Sequence, residues 1–223
     1  MAQRVYRRSL SALRAIRGAV LVIALAGTGT AWAAPTPEPS FFNSTEIQYD
    51  GLKPFPKWTG ALDKYFKEKA KLESGCGSNR CPFTDWLSFL ESIKGDAPAT
   101  QLNKVNRFMN KRRYINDPIN WGVKDYWASP NEFFSKNGDC EDYSISKYIS
   151  LKALGWSDDA LRIVVLQDLN LRLGHAVLVV NLDGKHLLLD NQQSSVIETR
   201  RVRHYLPIYS VNETHWWRHR AIK

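Results

Sequence analysis

Cysteine is scarce in this chain, with three residues in 223, which excludes the dense disulfide framework that supports many small exported folds. Internal repeats and low-complexity tracts are missing too, so nothing points to a solenoid or a compositionally biased segment. The longest apolar run, Gly18 to Gly27, is too short to span a bilayer comfortably. Acid is absent from the first 17 positions, where five arginines stand. The net charge of +9 owes much to that region, because the other 26 basic residues face 22 acidic ones and leave only +4. A nucleic-acid footprint needs a clustered basic face and a domain pI above roughly 9. Nucleic acid is therefore not expected as a partner, and Lys111-Arg112-Arg113 and Arg200-Arg201-Val202-Arg203 read as solvated faces.

What is present begins with an export signal. The basic start, the apolar stretch and the A-x-A pattern Ala31-Trp32-Ala33 predict a secretory signal peptide over residues 1–33, cut near Ala33. Arg7-Arg8 also suits a twin-arginine route, although Ser9-Leu10-Ser11 fits that signal poorly, and an uncleaved anchor is the alternative. The 190 residues left by cleavage suit one compact domain, with tryptophans offering large buried area. Cys76 and Cys81 flank Gly77-Ser78-Asn79-Arg80 in a loop-like stretch. A local disulfide there fits an oxidising compartment but closes too short a loop to add much stability, and a metal site there lacks nearby histidines. Their pairing leaves Cys140 alone, either as a free reactive thiol or as an intermolecular link.

Residues 34–56, rich in proline and polar side chains, read as an extended or mobile lead-in with little core, and residues 57–223 as the folded domain. Apolar spacing predicts helices over residues 57–74, 84–93 and 100–114. Residues 116–137 read as a long irregular passage dense in aromatics, a wall beside the helix that follows, although any single ring there is explained as readily by core packing. Asp139 as cap, Asp142 three positions on and Gly155 as stop predict a helix from Asp139 to about Leu154. Residues 161–167 read as a strand, residues 173–190 as a hairpin turning at Asp183-Gly184, and residues 196–199 as a further strand, followed by a helix-poor tail ending in Trp216-Trp217. Helices followed by strands predict an α+β fold, helices packed on an antiparallel sheet.

Cys140 sits in Gly138-Asp139-Cys140-Glu141-Asp142-Tyr143, at the predicted start of a helix. The common fate of a free cysteine is a buried structural thiol; here two downstream residues argue for more. With Asp183-Gly184 as the turn, cross-strand partners sum to 367, which puts Asp190 opposite Val177 and makes it the diagonal neighbour of His175 on one face. A carboxylate so placed can orient the imidazole, whose other nitrogen can take the thiol proton. The helix start favours a thiolate and offers amides to an oxyanion. His186, His204, His215 and His219 have no such pattern and read as structural or exposed. Asp139, Glu141 and Asp142 cut the other way, because three negative charges around the thiol disfavour its anion. A bound cation removes the conflict, and clustered hard oxygens suit Ca²⁺. Helix capping by Asp139 and Asp142, with Glu141 serving the dipole, explains the same residues without an ion.

These segments, with Leu173-Gly174-His175-Ala176-Val177 and Leu188-Leu189-Asp190-Asn191-Gln192, resemble the bacterial transglutaminase-like cysteine proteases of the LapG type. Trp121-Gly122-Val123-Lys124-Asp125-Tyr126-Trp127-Ala128-Ser129-Pro130 resembles the segment preceding the nucleophile in that family. The resemblance covers most of the chain after the signal; the Cys76/Cys81 pair has no place in it. It implies a papain-like, transglutaminase-type fold in the periplasm, and cleavage of a large repeat adhesin near its N-terminus after a pair of small residues. It further implies Cys140 as nucleophile, His175 as general base and acid, Asp190 as orienting carboxylate, and calcium held by Asp139, Glu141 and Asp142. It also implies sequestration by an inner-membrane receptor for cyclic di-GMP, so that biofilm release follows a fall in that messenger. Two other readings share the residues: a transglutaminase-like transfer of acyl groups to amines through the same thioester, and a non-catalytic periplasmic binding domain in which Cys140 is structural.

Overall fold

The computed structural model describes residues 40–73 and 82–222, so the signal peptide over 1–33 and the Cys76/Cys81 pair lie outside the described residues. The three expected helices are Pro56–Glu73 (α1), Pro82–Ile93 (α2) and Pro98–Met109 (α3). Each opens on a proline, whose fixed φ and missing N–H suit a first helical turn. Their apolar stripes face inward: Trp58, Leu62 and Tyr65 of α1, Trp86, Leu90 and Ile93 of α2, and Leu102, Val105 and Met109 of α3 are all buried. The helix that carries the cysteine, Cys140–Ala153 (α6), is buried continuously from Glu141 to Leu151. It packs against α3 and against two central strands, and it ends before Gly155, whose φ of +94° is open to glycine without strain.

Three expectations need correction. The passage over residues 116–137 is not wholly irregular: it contains Asp117–Asn120 (α4) and Pro130–Lys136 (α5). The second is dictated locally, because the Ser129 hydroxyl accepts the Glu132 amide while the Glu132 carboxylate accepts the Ser129 amide, with Pro130 in the first turn. The lead-in is not without core: Ser44–Asp50 is an edge strand (β1), and Phe41 and Phe42 just before it are buried. The aromatic tail is also a strand, because alternation in His215–Ala221 turns Trp217 and His219 inward.

The remaining strands are Leu161–Asp168 (β2), Leu173–Leu182 (β3), Lys185–Leu189 (β4), Ile197–Glu198 (β5) and Tyr205–Val211 (β6), with His215–Ala221 as β7. They form one antiparallel sheet in the order β1-β7-β6-β2-β3-β4-β5. Asp183 and Gly184 both take positive φ, +52° and +75°, as a tight hairpin turn requires. The turn fixes the register, Leu182 with Lys185 and Leu178 with Leu189. Ile163, Leu178 and Val180 join the helices in one core cluster, while Val164, Val177, Val179 and Leu188 join Phe41, Phe42 and Tyr205 in a second.

Trp86 ties the helical layer to α6: it is fully buried, touches the rings of Phe83 and Phe134, and donates its indole N–H to the Ser150 hydroxyl at 2.8 Å. Trp86→Ala is expected to destabilise the fold by about 3–5 kcal/mol, read as a fall in the urea midpoint with an unchanged slope. An unchanged midpoint would disprove the role given to this ring.

Candidate active site

β4 stops at Leu189, and the chain turns away with Asp190 just beyond its end. His175 lies three residues upstream of Leu178 on β3. The register brings the two together: His175 Nε2 is 3.0 Å from Asp190 Oδ1, with both side chains buried. An ionised carboxylate only accepts, so Nε2 carries the hydrogen and Nδ1 is the nitrogen left for another partner. Asp190 also accepts the Gln192 amide at 2.9 Å and the Tyr205 hydroxyl at 2.7 Å. Burial alone would raise the Asp190 carboxyl, but the hydrogen bond and charge of His175, with those two donors, outweigh it and hold it below its ordinary range.

Cys140 is the first residue of α6, half-buried, with its thiol directed at the Ala176 amide next to His175. Tyr114 and Tyr205 lie near the sulfur as neutral phenols, both raised above the ordinary tyrosine range by burial first. The thiol donates to Glu141 Oε2 at 3.1 Å. Burial first, then the charge and hydrogen bond of Glu141 and the charge of Asp139, push this thiol well above its usual range. In the protein alone the sulfur is protonated.

The acids themselves are under stress. Glu141 is pushed up to about 9, by burial first and then by Asp139 and Asp142. Asp117, Asp139 and Asp142 are raised as well, burial being the largest cause for each. Asp142 caps the helix, accepting the Asp139 amide at 3.3 Å through Oδ2 and the Ala128 amide at 2.7 Å through Oδ1. Asp117 and Asp125, which sequence reasoning missed, complete the cluster: ligand oxygens of Asp117, Asp125 and Glu141 lie within 4.8 Å of one another, as do those of Asp117, Asp139 and Asp142. Asp117 Oδ1 and Asp139 Oδ1 are buried without a hydrogen-bond partner among the described residues. Hard oxygens, mutually repelling, partly unsatisfied and, apart from the exposed Asp125, largely withdrawn from solvent fit a calcium ion. When bound, such an ion supplies the positive charge that lets these carboxylates ionise without penalising a nearby sulfur anion.

Two more features belong to this site. Gly138 is there for room, because a Cβ on it would meet Asp142 Oδ2 at 2.0 Å and Asp142 Cβ at 2.8 Å. Gly138→Ala is expected to displace the Asp142 carboxylate and weaken calcium binding by about tenfold or more, measured by calorimetry on folded protein; unaltered affinity would contradict the placement. Tyr205 could not be tied to Asp190 from sequence, because their meeting depends on β6 lying two strands from β3. A cleft of about 820 Å³ exists elsewhere, between the turns at Phe41–Asn43 and Thr199–Arg201 at the Asp183-Gly184 end of the hairpin. It contains none of Cys140, His175 and Asp190.

A cysteine opening a buried helix, against an antiparallel sheet whose hairpin holds a histidine–aspartate pair, is the architecture of a transglutaminase-like cysteine peptidase. The chain belongs to the bacterial transglutaminase-like cysteine proteinases, whose family model matches residues 88–221. It is similar to Legionella pneumophila LapG in calcium-bound form, at 36% identity over 67% of this chain and 84% of that one, with a TM-score of 0.57. A second structure of Legionella pneumophila LapG matches at 36% identity over 70% and 87% of the two chains, TM-score 0.59, and an EGTA-treated form over 67% and 82%, TM-score 0.57. No curated protein matches the chain.

Proposed function

We propose that this protein is a calcium-dependent periplasmic cysteine endopeptidase that cuts a large surface adhesin near its N-terminus, after a pair of small residues. Release of the adhesin promotes biofilm dispersal, and an inner-membrane receptor for cyclic di-GMP holds the enzyme back while that messenger is abundant. What supports the reading is a thiol at a helix start near the Ala176 amide, an imidazole–carboxylate pair at the adjacent His175, and a cluster of acids around the helix start. The calcium-bound and EGTA-treated forms of a relative at 36% identity support the cation.

Cys140 loses its proton to His175 Nδ1, and the sulfur attacks the scissile carbonyl. Asp190, fixed by Tyr205 and the Gln192 amide, holds the imidazole by Nε2 and stabilises its charged form. Amides of the first turn of α6 face the developing oxyanion. The imidazolium then hands its proton to the leaving amine, and water, activated by the same ring, hydrolyses the thioester.

The test is incubation of purified protein with the N-terminal region of a repeat adhesin, calcium and a labelled primary amine. A cut chain without label is the expected product. Amine-labelled adhesin would instead favour acyl transfer, and an intact unlabelled chain would leave only a binding role.

A further inference from the structure

The segment between α4 and α5 holds the acid cluster through its backbone. The Tyr126 amide donates to Asp117 Oδ2 at 2.5 Å and the Ala128 amide to Asp142 Oδ1 at 2.7 Å, while Asp125 adds its own carboxylate to the group. What grips this segment comes from α1. Lys64 directs all three of its ammonium hydrogens there: to the Trp127 carbonyl at 3.0 Å, to the Tyr126 hydroxyl at 3.0 Å and to Glu132 Oε2 at 2.7 Å. The Tyr126 hydroxyl passes its own hydrogen to Glu132 Oε1 at 2.6 Å. One turn further along α1, Glu68 accepts the Ser129 hydroxyl at 2.8 Å.

Of these contacts, the one with Trp127 bears most directly on the acids. The Trp127 carbonyl and the Ala128 N–H are the two ends of one planar peptide unit, so Lys64 holds its oxygen while Asp142 takes its hydrogen. A cation on the oxygen also polarises the unit and makes the N–H a stronger donor. The α5 cap does not need the lysine, because Ser129 and Glu132 close their capping box between themselves. The Lys64 and Glu132 side chains are 31% and 19% exposed, and their contact is therefore screened less than an open surface bridge. Burial alone would lower Lys64 and raise Glu132. Their mutual hydrogen bond and the bonds to Tyr126 outweigh it at both, holding the lysine above its ordinary range and the carboxyl below.

We propose that Lys64 is a positioning residue of the calcium site, a clamp from α1 on Tyr126 and the 127–128 peptide that sets Asp117 and Asp142 where a cation needs them. The proposal rests on the calcium reading. Charge by itself predicts the opposite sign: a lysine close to a cation site repels the ion, so removing it tightens binding, and only lost positioning weakens it. Lys57 supplies the comparison. It lies seven residues earlier on the same side of α1, with its ammonium 2.5 Å from Asp125 Oδ2, and it competes with an ion for that carboxylate instead of holding the backbone around it.

The experiment measures calcium affinity by calorimetry on wild type, Lys64→Met, Lys57→Met and Tyr126→Phe, and follows exchange of the Tyr126 and Ala128 amides in the calcium-free proteins. Methionine keeps the length of the lysine stem. Lys64→Met is expected to bind calcium about tenfold more weakly and to exchange both amides faster, whereas Lys57→Met is expected to bind at least as tightly as wild type. Unchanged or tighter binding by folded Lys64→Met, or an equal loss in Lys57→Met, would overturn the proposal. If Lys64→Met does not fold, Tyr126→Phe decides. It removes only the hydroxyl that joins Lys64 to Glu132, with an expected loss of about threefold, and wild-type affinity there would count against the clamp. Wild-type protein that binds no calcium would instead sink the calcium reading, while amide exchange in whichever variant folds still judges the clamp.

Discussion

Cys140→Ala is expected to lower adhesin cleavage by at least about four orders of magnitude while leaving the thermal midpoint within a few degrees of wild type. The first half follows from the sulfur being the only atom in the arrangement that can form the thioester; His175 and Asp190 without it can at best assist water. The second half follows from the environment. Cys140 is half-buried at a helix start, and its thiol donates to Glu141, which lies in a repelling cluster. Removing the sulfur creates little cavity and withdraws one group from a crowded site. Initial rates on an adhesin fragment, with calorimetry on the same samples, check both halves. Cleavage persisting in Cys140→Ala would transfer the chemistry to other residues, whereas collapse of the fold would make the thiol structural.

Removal of calcium should abolish cleavage, and the stability of the protein should then depend on pH in a defined direction. Glu141 sits near 9 against an ordinary value of 4.5, so its folded pKa is raised above its unfolded one. A raised group contributes stability that is fully present below its unfolded pKa and is lost as pH rises through its folded pKa. The calcium-free protein should therefore weaken as pH climbs from about 4.5 towards 9, with the raised Asp117, Asp139 and Asp142 adding to the trend. Calcium is expected to take the place of those protons. At calcium one hundred times its Kd the gain is about 2.7 kcal/mol, large near pH 8 and fading towards pH 5, where protons compete for the same oxygens. Glu141→Gln should copy the protonated state: stable without calcium, weak in binding it, and slow in cleavage. Calorimetric scans with calcium and with EGTA across this range check the sign. A calcium effect that grows towards acid pH, or full activity in EGTA, would remove the ion from the site.

The sequence was most informative where chemistry is local. The Asp183-Gly184 turn dictates its own register, and that register alone puts His175 beside Asp190; the 3.0 Å contact needs no more information than a hairpin and the two-residue period of a strand. The α6 start was legible because a cap, a carboxylate three residues on and a terminal glycine are all short-range signals. By the same standard Ser129-Pro130-Asn131-Glu132 should have revealed α5, since its capping box lies within four residues. The strand His215–Ala221 was obscured because its alternation is carried by histidine, arginine and tryptophan, residues that also suit a surface.

What the sequence determined by itself was therefore the cysteine at a helix start, the histidine–aspartate pair, and the acids Asp139, Glu141 and Asp142 clustered at that helix start, because each depends on neighbours a few positions apart or on one tight turn. Only the tertiary structure decided that Asp117 and Asp125 join those acids, and that Tyr205 and the Gln192 amide hold Asp190. Those facts depend on which elements pack together, α3 on α6 and β6 beside β2. Long-range packing selects its partners by shape and burial over the whole core, and no short pattern of residue types encodes it.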